Sequence, residues 1–117
     1  DERLTGKPHR YAYTVPFPDG SEDFVAQSFL IKHDLVTGKR EDHALGAHRH
    51  PGEFVFVPKS AEAAEDEGWL MGYVVDTAHE TTDLVIIDAQ NFTGPPLAVI
   101  TIPHRVPPGF HGNWVGG

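Results

Sequence analysis

The sequence contains no cysteine, so it has no disulfide framework, and nothing in it requires an oxidising compartment. Basic residues are scarce. Nine Lys and Arg stand against 17 Asp and Glu, for a formal net charge of -8, and the concentrated basic face that a phosphate backbone requires is missing, which argues against nucleic acid as a partner. The longest apolar runs, such as Phe54 to Val57 and Leu84 to Ile87, fall far short of the ~20 residues that span a bilayer. Nothing reads as a span or a signal peptide, and the cytoplasm is the expected setting. Helical patterning is nearly absent too. Only Ala61 to Glu67 is rich in alanine and acid; it is shorter than an independently stable helix and stops at Gly68, so it is expected to be a connecting turn of at most one helical turn. The chain also lacks an initiator methionine and opens Asp1-Glu2-Arg3, and the expectation is a piece of something longer. Its 117 residues suit one domain or a fragment, able to bury roughly two-thirds of the surface its unfolded form exposes.

What is present is β-forming sequence cut by turn residues. Arg10 to Val15 is aromatic and β-branched and runs into Pro16, with Phe17-Pro18-Asp19-Gly20 as its exit turn. Phe24 to His33 is a second strand, reversed by Asp34-Leu35-Val36-Thr37-Gly38 into Lys39 to Leu45, which makes a hairpin. Gly46 to Gly52 shows no usable period and reads as a loop. The buried run Glu53 to Val57 follows and is closed by Pro58. Trp69 to Asp76, Asp83 to Asp88 and Leu97 to Ile102 are three further strands in meander order, joined through Thr77 to Thr82 and through Phe92-Thr93-Gly94-Pro95-Pro96.

A faint repeat connects the two halves. Phe29 to Asp34 followed by Thr37-Gly38 is echoed by Leu84 to Asp88 followed by Thr93-Gly94. Short antiparallel strands repeating at this distance suggest propeller blades of roughly 40–50 residues more than a sandwich. Two blades do not close a propeller, and stopping there would leave long unpaired strand edges.

Eight histidines are present. His9, His33, His79 and His104 lie beside charged or turn residues and His43 lies on a polar hairpin arm; all five are expected to be solvated. The candidates for chemistry are His48, His50, Glu53 and His111. His111 stands in Pro107-Pro108-Gly109-Phe110-His111-Gly112-Asn113-Trp114, where prolines restrict φ and glycines admit conformations closed to other residues, so a specified turn is expected to hold the imidazole.

Four stretches in order carry a resemblance: Glu53-Phe54-Val55-Phe56-Val57-Pro58, Glu65-Asp66-Glu67-Gly68-Trp69-Leu70, Asp83 to Ala89, and Arg105 to Trp114. Together they resemble the C-terminal portion of the carotenoid cleavage oxygenase family, which includes carotenoid, apocarotenoid and lignostilbene dioxygenases. The resemblance covers about residues 25–115. It implies an all-β chain of antiparallel meander blades, about two of the seven in a β-propeller, with residues 1–117 as a C-terminal fragment of the oxygenase domain. It implies a non-haem Fe(II) held on the propeller axis by four histidines, of which His111 matches the last, and Glu53 as an outer carboxylate that orients a ligand. The partners it implies are O2, a small apolar polyene or stilbene cleaved at a conjugated C=C bond into two carbonyl products, and the remaining blades, which would supply the other three histidines. The isolated chain is therefore expected to be inactive. Phe110 and Trp114 are expected to pack around the ligand.

Two other readings stay open on the residues alone. His48-x-His50 with Glu53 and the later His111 is similar to the metal set of a cupin, although the spacings differ; a small jelly roll would make Glu53 a direct ligand. A non-catalytic β module would leave all four residues structural.

Overall fold

A computed structural model of the chain describes residues 2–4, 6–14 and 29–104. Seven strands run in sequence: β1 (Tyr11–Thr14), β2 (Phe29–Asp34), β3 (Arg40–Ala44), β4 (Arg49–Pro58), β5 (Gly68–Asp76), β6 (Thr81–Asp88) and β7 (Ala98–Ile102). They form two antiparallel meanders, one ordered β1-β2-β3 and the other β4-β5-β6-β7. Two single 3-10 turns, Glu2–Leu4 and Ala89–Asn91, are the only helical elements among the described residues, and Ala61 to Glu67 forms turns without a helix.

The turns follow from local chemistry. Asp34 ends β2, and its Oδ1 accepts hydrogen bonds from the backbone N–H groups of Val36 (3.0 Å) and Thr37 (3.3 Å). Gly38 then takes the left-handed conformation at φ 74, open to it at little steric cost. Asp88 ends β6 in the same way, its Oδ1 accepting from Gln90 N at 2.9 Å. The faint sequence repeat thus has a physical content: in both places a strand-ending aspartate caps the next turn with its side chain.

One face of the second sheet packs on the first. Leu30, Leu70, Val74, Val85, Ile87, Ala89 and Phe92 form the buried cluster, with Tyr13, Leu45, Phe54 and Phe56 packed against it. Burying each large apolar side chain contributes about 1.5–3 kcal/mol. The opposite face of the second sheet, set by the pairing of Met71 with Ile86 and of Tyr73 with Leu84 and through it Ile100, is also apolar. Tyr73 and Ile100 there are 47% and 53% exposed, so this sheet carries apolar side chains on both sides, as strands packed between layers do.

Polar bridges reinforce the contact between the sheets. Lys32 on β2 is buried, donates from Nζ to the Ala89 carbonyl at 2.7 Å and to Asp66 Oδ2 at 3.1 Å, and lies 4.6 Å from the Tyr11 ring centroid. Glu65 Oε1 accepts the backbone N–H groups of Arg10 and Tyr11. His43 on β3 is buried rather than solvated, a correction to the sequence expectation: its Nδ1 lies 2.8 Å from the Phe92 carbonyl oxygen, and its ring meets Phe92 edge-on. Its position on a polar hairpin arm hid this, because Phe92 arrives from 49 residues away.

Two further expectations change. β4 begins at Arg49, inside the stretch read as a loop, with His50 and Pro51 already paired to Val75 and Val74. Pro51 is tolerated because β4 is an edge strand of its sheet. Within Glu53 to Val57 only Val57 is buried, and Glu53 is exposed.

Because Lys32 is buried against a half-buried partner, Asp66→Ala is expected to cost roughly 3 kcal/mol by stranding an ammonium, whereas Lys32→Met removes the charge with the pair and costs less. Denaturant unfolding of the two variants checks the order; equal losses would show that the ion pair is not what Lys32 contributes.

Candidate functional site

The register of β4 on β5 sets the geometry around Glu53. Pro51 pairs with Val74 and Phe54 with Gly72, so Gly52 and Glu53 together stand opposite the single residue Tyr73. This is a β-bulge, and bulges re-aim side chains where a strand must present one. The extra residue also breaks the alternation, which is why the approach to Glu53 shows no period in the sequence. Beyond the bulge the strand is anchored by aromatic rings over glycines. A Cβ built on Gly72 would fall 2.5 Å from Phe54 Cδ2, and one on Gly68 would fall 2.5 Å from Phe56 Cζ. The rings occupy the space the glycines leave, and Phe56 stacks further on Tyr13 at a centroid distance of 5.9 Å.

The turn ahead of β4 is tied to the β5–β6 turn. His48 is exposed, with φ 59, and its carbonyl accepts from Thr77 N (2.9 Å) and Thr77 Oγ1 (3.1 Å). Arg49 Nη1 lies 2.8 Å from Asp83 Oδ2 and 3.6 Å from Asp76 Oδ2. Thr101 Oγ1 donates to Asp83 Oδ1 at 2.9 Å, and His79 Nδ1 lies 2.9 Å from Asp76 Oδ2. The His79 side chain, followed by its backbone N–H, holds the Asp76 carboxyl below the usual carboxylate range against the opposing effect of burial. This network escaped the sequence reading, and its only signal was the presence of acids on either side of the Thr77–Glu80 turn.

The sequence-predicted residues are placed unequally. His48, His50 and Glu53 lie along one turn and strand, with His50 half-buried opposite Val75. His111, with all of Pro107 to Trp114, lies outside the described residues. Of the histidines expected to be solvated, His9 and His104 are exposed, His33 is half-buried with Nε2 3.1 Å from Thr14 Oγ1, and His79 is exposed with its Nδ1 in contact with the Asp76 carboxyl. Among the described residues no group of three or more His, Cys, Asp or Glu could hold a metal ion. The described part therefore offers an exposed carboxylate, suited to accept an imidazole N–H, and not a ligand set. The cupin reading fails on the fold, since sequential meanders are not a jelly roll.

Stacked antiparallel meanders of this kind are blades of a β-propeller. The chain belongs to the family described as retinal pigment epithelial membrane protein, which matches residues 1–116. The carotenoid cleavage oxygenase of Mycobacterium tuberculosis is 40% identical over 117 residues, 97% of this chain and 23% of that protein. Among solved structures, cobalt-substituted Synechocystis apocarotenoid oxygenase matches with a TM-score of 0.83 at 32% identity, covering 96% of this chain and 23% of that one. The lignostilbene dioxygenase of Pseudomonas brassicacearum matches with a TM-score of 0.88 at 26% identity, over 100% of this chain and 26% of that one. The chain thus spans about a quarter of the length of its relatives, and a cobalt-substituted relative points to a metal cofactor in the family.

Acid should weaken this structure in a defined window. The Arg10 guanidinium holds the Asp34 carboxyl well below its usual range, and Asp76 is also depressed. A carboxyl depressed in the folded state contributes stability that is present above the unfolded value of about 3.9 and is lost as pH falls through the folded value. Asp34→Asn is expected to lower stability at neutral pH and to flatten its fall below about pH 4, measured by denaturant unfolding at stepped pH.

Proposed function

We propose that this chain is the C-terminal part of a non-haem Fe(II) dioxygenase that cleaves a conjugated C=C bond of a carotenoid, apocarotenoid or stilbene-type substrate. The observation that carries this is the match of nearly the whole chain, in sequence and in fold, to oxygenases named for such substrates. One alkene and one O2 give two carbonyl products, so the atoms balance without a further reductant. Bound in the full-length protein, the ferrous ion supplies binding and activation of O2.

The contributions of this chain are specific. His111 would be one of four imidazole ligands, the other three coming from blades outside this chain. Glu53 would accept the second N–H of a ligand imidazole, fixing its tautomer and direction and raising its basicity. The exposed bulge suits this role, since a carboxylate buried in the β4–β5 face would be closed to a ligand arriving from another blade. The uncovered apolar face of Tyr73, Leu84 and Ile100 would receive a neighbouring blade. The setting proposed for the protein is the cytoplasm.

In the full-length protein, His111→Ala is expected to abolish alkene cleavage, and Glu53→Gln to weaken metal binding or turnover by about 10- to 100-fold. Turnover at the wild-type level in His111→Ala would remove that histidine from the site. The 117-residue chain alone is expected to bind no stoichiometric Fe(II) by calorimetry, because one imidazole cannot replace several converging ligands; tight binding by the chain would overturn the shared site.

A further inference from the structure

Backbone hydrogen bonds alone do not decide where a bulge sits. If the strand lost its bulge and slipped by one residue, Glu53 would pair with Gly72 and Phe54 with Met71 in nearly the same ladder, and that slip would turn Glu53 to the other face of the sheet. The geometry points to Gly72, acting through the ring of Phe54, as the positioning residue for Glu53. This inference rests on the proposed role of Glu53 as the carboxylate that orients a ligand.

Phe54 pairs directly across from Gly72, and the hypothetical Cβ of Gly72 falls 2.5, 2.6 and 2.7 Å from Cδ2, Cγ and Cε2 of the ring. These distances are shorter than real Cβ contacts, so the ring fills space that any other side chain at 72 would claim. The seat has no equivalent nearby. Along the same face of β5 the neighbours are Leu70 and Val74, both buried in the core cluster. The other glycine of the strand, Gly68, is covered by Phe56. A slip by one residue would lift both rings from their seats and carry them away from the buried cluster. The residue before Phe54 is Glu53, so fixing the ring fixes the exit of the bulge and the carboxylate with it. A glycine at 72 makes this possible at a cost to the β5 strand that the ring offsets by covering it.

The test uses the full-length protein, with Fe(II) affinity and thermal stability as separate readouts. Gly72→Ala is expected to weaken Fe(II) binding by about 10-fold, near the loss in Glu53→Gln. In the Glu53→Gln background it should cause no further loss, since the group it positions is gone. Phe56→Leu, which removes a ring seated over Gly68 and stacked on Tyr13, should lower thermal stability while changing affinity by less than about twofold. Should Gly72→Ala not fold, Phe54→Leu keeps the glycine and removes the ring without a clash, with the same expected loss of affinity. Equal losses from Gly72→Ala with and without Glu53→Gln, or from Phe56→Leu, would overturn positioning in favour of general destabilisation. A weakened Glu53→Gln beside an unchanged Gly72→Ala overturns the positioning role alone, whereas an unchanged Glu53→Gln overturns the reading of Glu53 itself.

Discussion

The seating of β4 on β5 is the constraint from which the rest of the candidate site follows. Two phenylalanine rings, Phe54 and Phe56, lie where Gly72 and Gly68 have no side chains, and both rings reach the same buried cluster. Apolar burial is non-directional and would accept many arrangements. Glycine gaps at set positions make it directional, because only one register puts both rings in place. The bulge at Gly52 and Glu53 is then the remainder: the strand is one residue too long for its ladder, and the surplus appears where the carboxylate stands.

Polar contacts tie the first sheet to the connections of the second. Lys32 reaches from β2 to the Ala89 carbonyl and to Asp66, His43 reaches from β3 to the Phe92 carbonyl, and Glu65 receives two N–H groups from the start of β1. Each bridge joins a side chain or backbone of the first sheet to a connection of the second. Burying an ammonium is costly, and Lys32 tolerates it because a carboxylate, a carbonyl and an aromatic ring face share its environment. The second sheet is apolar on its far side as well, where Tyr73 and Ile100 are exposed.

Much of the architecture was legible because it is local. Turns appear where Asp34, Gly38 and Asp88 stand, strands where β-branched and aromatic residues alternate, and among the described residues the absence of any long helix follows from the absence of helical periodicity. The four ordered motifs from Glu53 to Trp114 carried the family, and within them the place of Glu53 at a strand was readable although its bulge was not. The start of β4 differs from the loop expected at Gly46 to Gly52 because a bulge resets the phase of alternation on which a period depends.

The sequence by itself determined the strand segments, the turn chemistry, the all-β class and the family, since each depends on residues close together in the chain or on their order. Tertiary structure alone decided that His43 and Lys32 are buried, that Arg49 gathers Asp76 and Asp83, and that Glu53 sits in an exposed bulge. Those outcomes depend on partners tens of residues away, from Phe92 against His43 to Gly72 against Phe54. Propensity acts over a few neighbours, whereas burial and register are settled only when distant strands meet and their side chains must share one volume.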